Sequence, residues 1–134
     1  MMGGSWFEYE VTTERSDEAG SGFTEKYVAV SVEEDAIVFE RYVDGKLRDT
    51  VEGSPSFAGL LFDLRGLSKL GTESIDTPFG PRDVTVYGSD RCGGGERVYV
   101  GAGGTVHRDI RTQLWSGGVV YTETRELKAS STVV

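Results

Sequence analysis

Trp6-Phe7-Glu8-Tyr9-Glu10-Val11-Thr12 alternates without a break, so Phe7, Tyr9 and Val11 fall on one face and Glu8, Glu10 and Thr12 on the other. A period of two over this length is a strand with one buried face. The same rhythm returns along the chain. Phe23 to Val32 alternates with Val28, Val30 and Val32 in register, and the charged stretch from Glu14 to Gly22, ending Ala19-Gly20-Ser21-Gly22, reads as a flexible loop before it. Glu33-Glu34-Asp35 is a turn, and Ala36 to Val43 is a strand with apolar residues on both faces, as in a central position.

Charge helps to choose the hairpin registers. Asp44-Gly45 marks a hairpin, but a plain two-residue turn sets Glu40 against Asp49 and Arg41 against Arg48. A three-residue loop, Val43-Asp44-Gly45, pairs Glu40 with Arg48 and Ile37 with Val51, and opposite charges across a ladder are favoured. The same test applies at Ser116-Gly117-Gly118. A three-residue loop there pairs Arg111 with Glu123, Asp109 with Arg125 and Arg108 with Glu126, and puts Val106, Ile110, Leu114 and Val120 on the core face.

Ser54-Pro55 is the one convincing helix start. Serine caps free amide groups, and proline suits the first helical position. Phe57, Leu60, Leu61, Leu64 and Leu67 then form an apolar stripe that Gly71 ends, which predicts an amphipathic helix over about 54–70. Beyond it, Pro78-Phe79-Gly80-Pro81 makes a rigid corner between Ser74–Thr77 and Asp83–Tyr87, with Pro81 expected to block ladder pairing. Gly88 to Glu96 reads as a glycine-rich loop around Cys92, Arg97 to Val100 as a short strand, Thr105 to Trp115 as a long one and Val119 to Lys128 as the last. Short connections imply a meander. The expected fold is mainly β (α+β): a strongly curved antiparallel sheet or open barrel of about eight or nine strands, closed by the one helix. It is read as one domain over 1–134, with 1–5 and 129–134 disordered.

A chain of 134 residues is long enough to bury a core without staples. Its net charge of -8 repels phosphate backbones and anionic lipid, which argues against nucleic acid and membrane partners. No apolar run has the length of a membrane span and no signal peptide opens the chain, so the default expectation is a soluble, cytoplasmic protein. The chain has no asparagine and one glutamine, Gln113, a depletion seen in proteins of hot environments. Arginine outnumbers lysine and isoleucine is scarce, a pattern that GC-rich codon use also produces.

Cys92 and His107 are each unique, and with Asp109 or Asp90 they contain the residue types of a thiol-dependent triad. Against that reading, Cys92 sits among glycines, and His107 shares a strand face with Asp109 and Arg111, which reads as solvated. Neither Gly93-Gly94-Gly95 nor Gly101-Ala102-Gly103-Gly104 opens a helix or leads into a Lys-Ser or Lys-Thr pair, so hairpin turns explain them better than phosphate loops. One cysteine and one histidine do not make a zinc set, Glu33-Glu34-Asp35 lacks calcium-loop spacing, and no metal or other cofactor is implied. Phe57, Leu61, Phe79, Tyr87 and Trp115 are the candidates to line an apolar cleft between helix and sheet, or equally to fill a core.

Three pieces, Trp6-Phe7-Glu8-Tyr9-Glu10-Val11, Thr77-Pro78-Phe79-Gly80 followed by Val84-Thr85-Val86-Tyr87, and Tyr121-Thr122-Glu123-Thr124-Arg125-Glu126-Leu127, occur in this order. Their arrangement resembles that of uncharacterised small β-rich domains of archaeal and bacterial envelope or secreted proteins. The resemblance implies a β-rich fold and carries no active-site residues. The absence of a leader or lipidated cysteine departs from the envelope pattern.

These features favour a non-enzymatic binding or structural module, a homo-oligomer through an exposed strand edge being one form of it. The alternatives are a carrier of a small apolar ligand in the helix–sheet cleft and a thiol enzyme built on Cys92 and His107.

Overall fold

The computed structural model describes residues 3–53, 64, 66–91, 94–132 and 134. Nine strands follow one another: β1 (Trp6–Arg15), β2 (Glu18–Val32), β3 (Ile37–Val43), β4 (Lys46–Gly53), β5 (Ser68–Thr77), β6 (Gly80–Arg91), β7 (Gly94–Val100), β8 (Val106–Leu114) and β9 (Val120–Ser130). They form one antiparallel sheet in the order β4-β3-β2-β1-β9-β8-β7-β6-β5. Two meanders thus meet where β1 pairs with β9, and the open edges are β4 and β5.

One face of the sheet holds the core: Phe39 on β3 and Val98 on β7 belong to one buried cluster with Phe7, Tyr9, Tyr27, Ala29, Ile37, Val106 and Leu127, linked through the strands between them. Alternation along β1 supplies the pattern, with Phe7, Tyr9 and Val11 buried between more exposed neighbours.

Several sequence expectations are corrected. Among the described residues there is no α-helix. Most of the expected helix, including Phe57 and Leu61, lies outside the described residues, but its last residues, Ser68 to Leu70, belong to β5. The supposed loop from Glu14 to Gly22 is mostly ladder, closing at Arg15 opposite Glu18. Gly20 permits this, because a Cβ there would stand 2.5 Å from the Thr13 carbonyl oxygen. Likewise, Gly88 to Arg91 and Gly94 to Glu96 are paired strand, with Cys92 between them outside the described residues. Pro81 stands within the ladder opposite Asp76. It breaks nothing, because β7 pairs with β6 only from Thr85 onward and asks for no amide at Pro81. At the termini, Gly4 N–H donates to the Ala29 carbonyl at 2.7 Å, and β9 runs to Ser130 opposite Phe7.

The β3–β4 hairpin solves its charge problem by a different route from the expected one. Val43 pairs with Lys46 across a two-residue turn, with Asp44 and Gly45 at φ 49° and 81°. Both central residues therefore lie in the left-handed region, as the tight hairpin turn requires. A bulge then inserts Arg48, so Arg41 meets Asp49, with Nε 2.8 Å from Oδ1. By contrast, β8 and β9 pair in the expected register, Arg108 with Glu126, Asp109 with Arg125 and Arg111 with Glu123. Leu114 and Val120 are nevertheless exposed, in an open groove of about 510 Å³ shared with Ile110 and Thr112, rather than in the core.

Candidate functional site

On β2 the buried residues are Glu25, Tyr27 and Ala29, while Val30 and Val32 are exposed. The valine stripe is therefore the outer one, and a glutamate faces in. The register explains where it goes. Tyr9 stands opposite both Glu25 on β2 and Leu127 on β9, and Val11 opposite Arg125. Arg125 reaches over β1, and its Nε donates to Glu25 Oε1 at 3.1 Å. From the other side, Arg41 on β3 donates to Glu25 Oε2 at 3.0 Å, and the Tyr27 hydroxyl makes a short hydrogen bond to Oε1. Glu25 is 1% exposed, so its charge is carried by these donors rather than by water.

A second group adjoins the first. Asp109 on β8 lies between Val98 on β7 and Arg125 on β9 in the ladder. It is fully buried, and no described residue makes a hydrogen bond of ordinary geometry to either of its oxygens. Arg111 Nε is 3.2 Å from Asp109 Oδ2, but that N–H donates to Glu96 on β7 at 2.8 Å. Arg125 also pairs with Glu123 on its own strand. The buried face of the sheet is therefore divided. Phe7, Tyr27, Ile37, Phe39, Val106 and Leu127 pack one part, and Glu25, Arg41, Glu96, Asp109, Arg111, Glu123 and Arg125 charge the other. Tyr9 joins the two, with its ring in the core, edge-on to Tyr27 at 6.1 Å, and its hydroxyl donating to the Val106 carbonyl at 2.7 Å.

Burial sets the electrostatics. It pushes Asp109 up to about 7, with Glu96 adding to the rise and Arg111 and Arg125 opposing it. Tyr9 and Tyr27 are raised above the ordinary phenol value, first by burial and then by neighbouring acidic groups, so both remain hydrogen-bond donors. Burial works against the charge on Arg125, but Glu25 and Glu123 outweigh it and hold the guanidinium firmly protonated.

The residues picked out in the sequence are dispersed. His107 is buried at the start of β8 rather than solvated; Phe79 lies edge-on to it at 6.4 Å, and the ring packs directly on Gly101. Its neutral form is favoured, chiefly by burial and then by Arg82. Gly94, two residues beyond Cys92, pairs with Gln113 near the far end of β8, about 20 Å of strand from His107. Tyr87 and Phe79 pack against the apolar cluster. Trp115 does not join them: it stacks on Tyr121 at 4.8 Å beside Arg15. Phe57 and Leu61 lie outside the described residues. Among the described residues no three histidine, cysteine or acidic side chains are grouped to hold a metal ion. Nor is any helix among them long and apolar enough to cross a membrane.

The sequence reading overlooked Glu25, Arg125, Tyr9 and Glu96 as members of one site. Alternation along β2 separates Glu25, Tyr27 and Ala29 from Val28, Val30 and Val32 but does not say which set faces in. One signal was available: the β8–β9 register already placed Asp109 against Arg125.

No family model matches the chain, and no curated protein does. Among solved structures, a protein described as a "putative lipoprotein" from Parabacteroides distasonis ATCC 8503 superposes with a TM-score of 0.61. The match covers 97% of this chain and 96% of that one, at 11% identity. It is a likeness of fold alone, in a β-rich protein. It gives no support to a cytoplasmic location.

Proposed function

We propose that the protein is a non-enzymatic binding module that takes a small polar ligand against the charged part of the buried face of its sheet. The observation that carries this reading is the inward, buried placement of Glu25, Arg125 and Asp109. A sheet built only for stability fills such positions with apolar side chains, because the desolvation of buried ion pairs offsets their attraction. Convergent polar groups on a concave wall are what a small-molecule site uses to orient its ligand. The apolar part of the face is engaged with itself, Tyr27 lying edge-on to Phe39 at 6.5 Å, which favours a polar ligand over an apolar one.

Ligand-observed NMR against amines, amino acids, dicarboxylates, sugars and fatty acids tests the reading. Binding of a charged or polar class, abolished by Glu25→Gln, is the expected result. Binding of fatty acids alone would replace it with the apolar-carrier reading. Binding of none of them by folded protein would remove the small-ligand reading and leave a structural module, whose self-association light scattering would measure. A thiol enzyme predicts instead a Cys92 that reacts unusually fast with an alkylating reagent.

A further inference from the structure

We propose that Asp109, buried beside Glu96 and sharing Arg111 with it, is held protonated, and that the release of its proton is a built-in switch that loosens β7 from β8. Asp109 is fully buried, and neither of its oxygens accepts a hydrogen bond of ordinary geometry from a described donor. The nearest cation, Arg111, has its Nε 3.2 Å from Asp109 but donates it to Glu96 at 2.8 Å. One N–H serves one acceptor well. The two carboxyl groups belong to adjacent strands on a diagonal of the ladder, since Asp109 is opposite Val98 and Arg111 opposite Glu96. Long side chains on such a diagonal can meet.

Among the described residues, the surrounding groups do not supply a second free cation. From β9, Arg125 faces the pair but is bonded to Glu25 and Glu123. From β1 comes the Tyr9 phenol, from β2 Glu25, and His107 stands two residues back on β8. Like charges that share one cation in a desolvated place avoid ionising together, and a proton on Asp109 removes the conflict. The rise of Asp109 to about 7 agrees with this and places the release near neutrality. Once the proton leaves, Arg111 and Arg125 are drawn toward Asp109 and away from Glu96 and Glu25. Either movement leaves another buried acid short of a partner. The switch does not depend on the ligand-binding reading.

Carboxyl carbon NMR on the full chain, with amide hydrogen exchange over the same pH range, is the test. The expected result is a titration of Asp109 with a step near 7. With it, protection across Gly94–Val100 and Val106–Leu114 should fall about tenfold through the step, after correction for intrinsic base catalysis. Asp109→Asn, a neutral replacement of nearly the same shape, should abolish both changes, and Glu96→Gln should lower the Asp109 midpoint. If Asp109 titrates in the ordinary carboxylate range, the held proton is overturned. If β7–β8 protection in the wild type is independent of pH, the switch is overturned.

Discussion

Arg125 Nε lies 3.1 Å from Glu25 Oε1, although the two residues are 100 positions apart in the chain and the whole of β1 runs between their strands. The contact exists because β9 and β2 flank β1 and both side chains stand on the same face of the sheet. It couples the two meanders through charge as well as through the β1–β9 ladder.

Removing one partner of that pair should be costly. Glu25→Leu leaves the guanidinium of Arg125, 15% exposed, with Glu123 as its remaining carboxylate partner among the described residues, and leaves Arg41 without its inward one. The expected loss is about 3–5 kcal/mol in urea unfolding. Glu25→Leu combined with Arg125→Met should recover much of it, because the uncompensated charge is then gone. A double variant no more stable than the single one would show that Glu25 acts mainly through Arg41 and Tyr27.

Asp109 predicts a stability profile of unusual sign for a carboxylate. Its folded-state value of about 7 lies above the ordinary 3.8 of the unfolded chain, so between these values the folded state binds more protons. Stability from this group is therefore fully present at low pH, declines as pH rises from roughly 4 to 7, and stays low above. The slope is at most about 1.4 kcal/mol per pH unit. Asp109→Asn should flatten this part of the profile and raise the midpoint of thermal unfolding at pH 8 relative to wild type.

Much of the sheet was legible in the sequence, and the failures have identifiable causes. The β8–β9 register could be read because three opposite-charge pairs select it, and all three form in the ladder. The β3–β4 register misled because the same charge conflict is relieved by the bulge at Arg48, which alternation does not announce. On β2, hydropathy placed Val28, Val30 and Val32 together, but not on which side of the sheet. The core face was decided by Glu25, Tyr27 and Ala29, and Glu25 is tolerable there only because Arg125 and Arg41 arrive from other strands. A local pattern contains no sign of a partner 100 residues away.

At the other end of β8, Gly101 is a position where any side chain must collide. A Cβ there would lie 2.7 Å from His107 Nε2 and 2.8 Å from Cδ2. Gly101→Ala should destabilise by about 1–3 kcal/mol, since the buried ring has little room to retreat. Adding His107→Ala should make the alanine at Gly101 nearly harmless. A thermodynamic cycle measures the coupling, and simple additivity of the two changes would show that backbone conformation rather than the ring makes glycine necessary.

Phe79 sits in the turn between β5 and β6, half-buried, with its amide N–H donating to Thr77 Oγ1 at 3.1 Å and its ring against His107. Phe79→Ala should cost about 2 kcal/mol, less than a fully buried phenylalanine, whose loss costs about 3–5. It should also change the histidine. Burial is the main reason why His107 titrates below its ordinary value, so the stability tied to its neutral form is present above pH 6.5 and is lost as pH falls below that value. Opening the Phe79 side admits water to the ring and should move the His107 midpoint upward, toward 6.5, in an NMR titration. An unchanged midpoint, with the stability loss present, would place the desolvation of His107 on the Gly101 side alone.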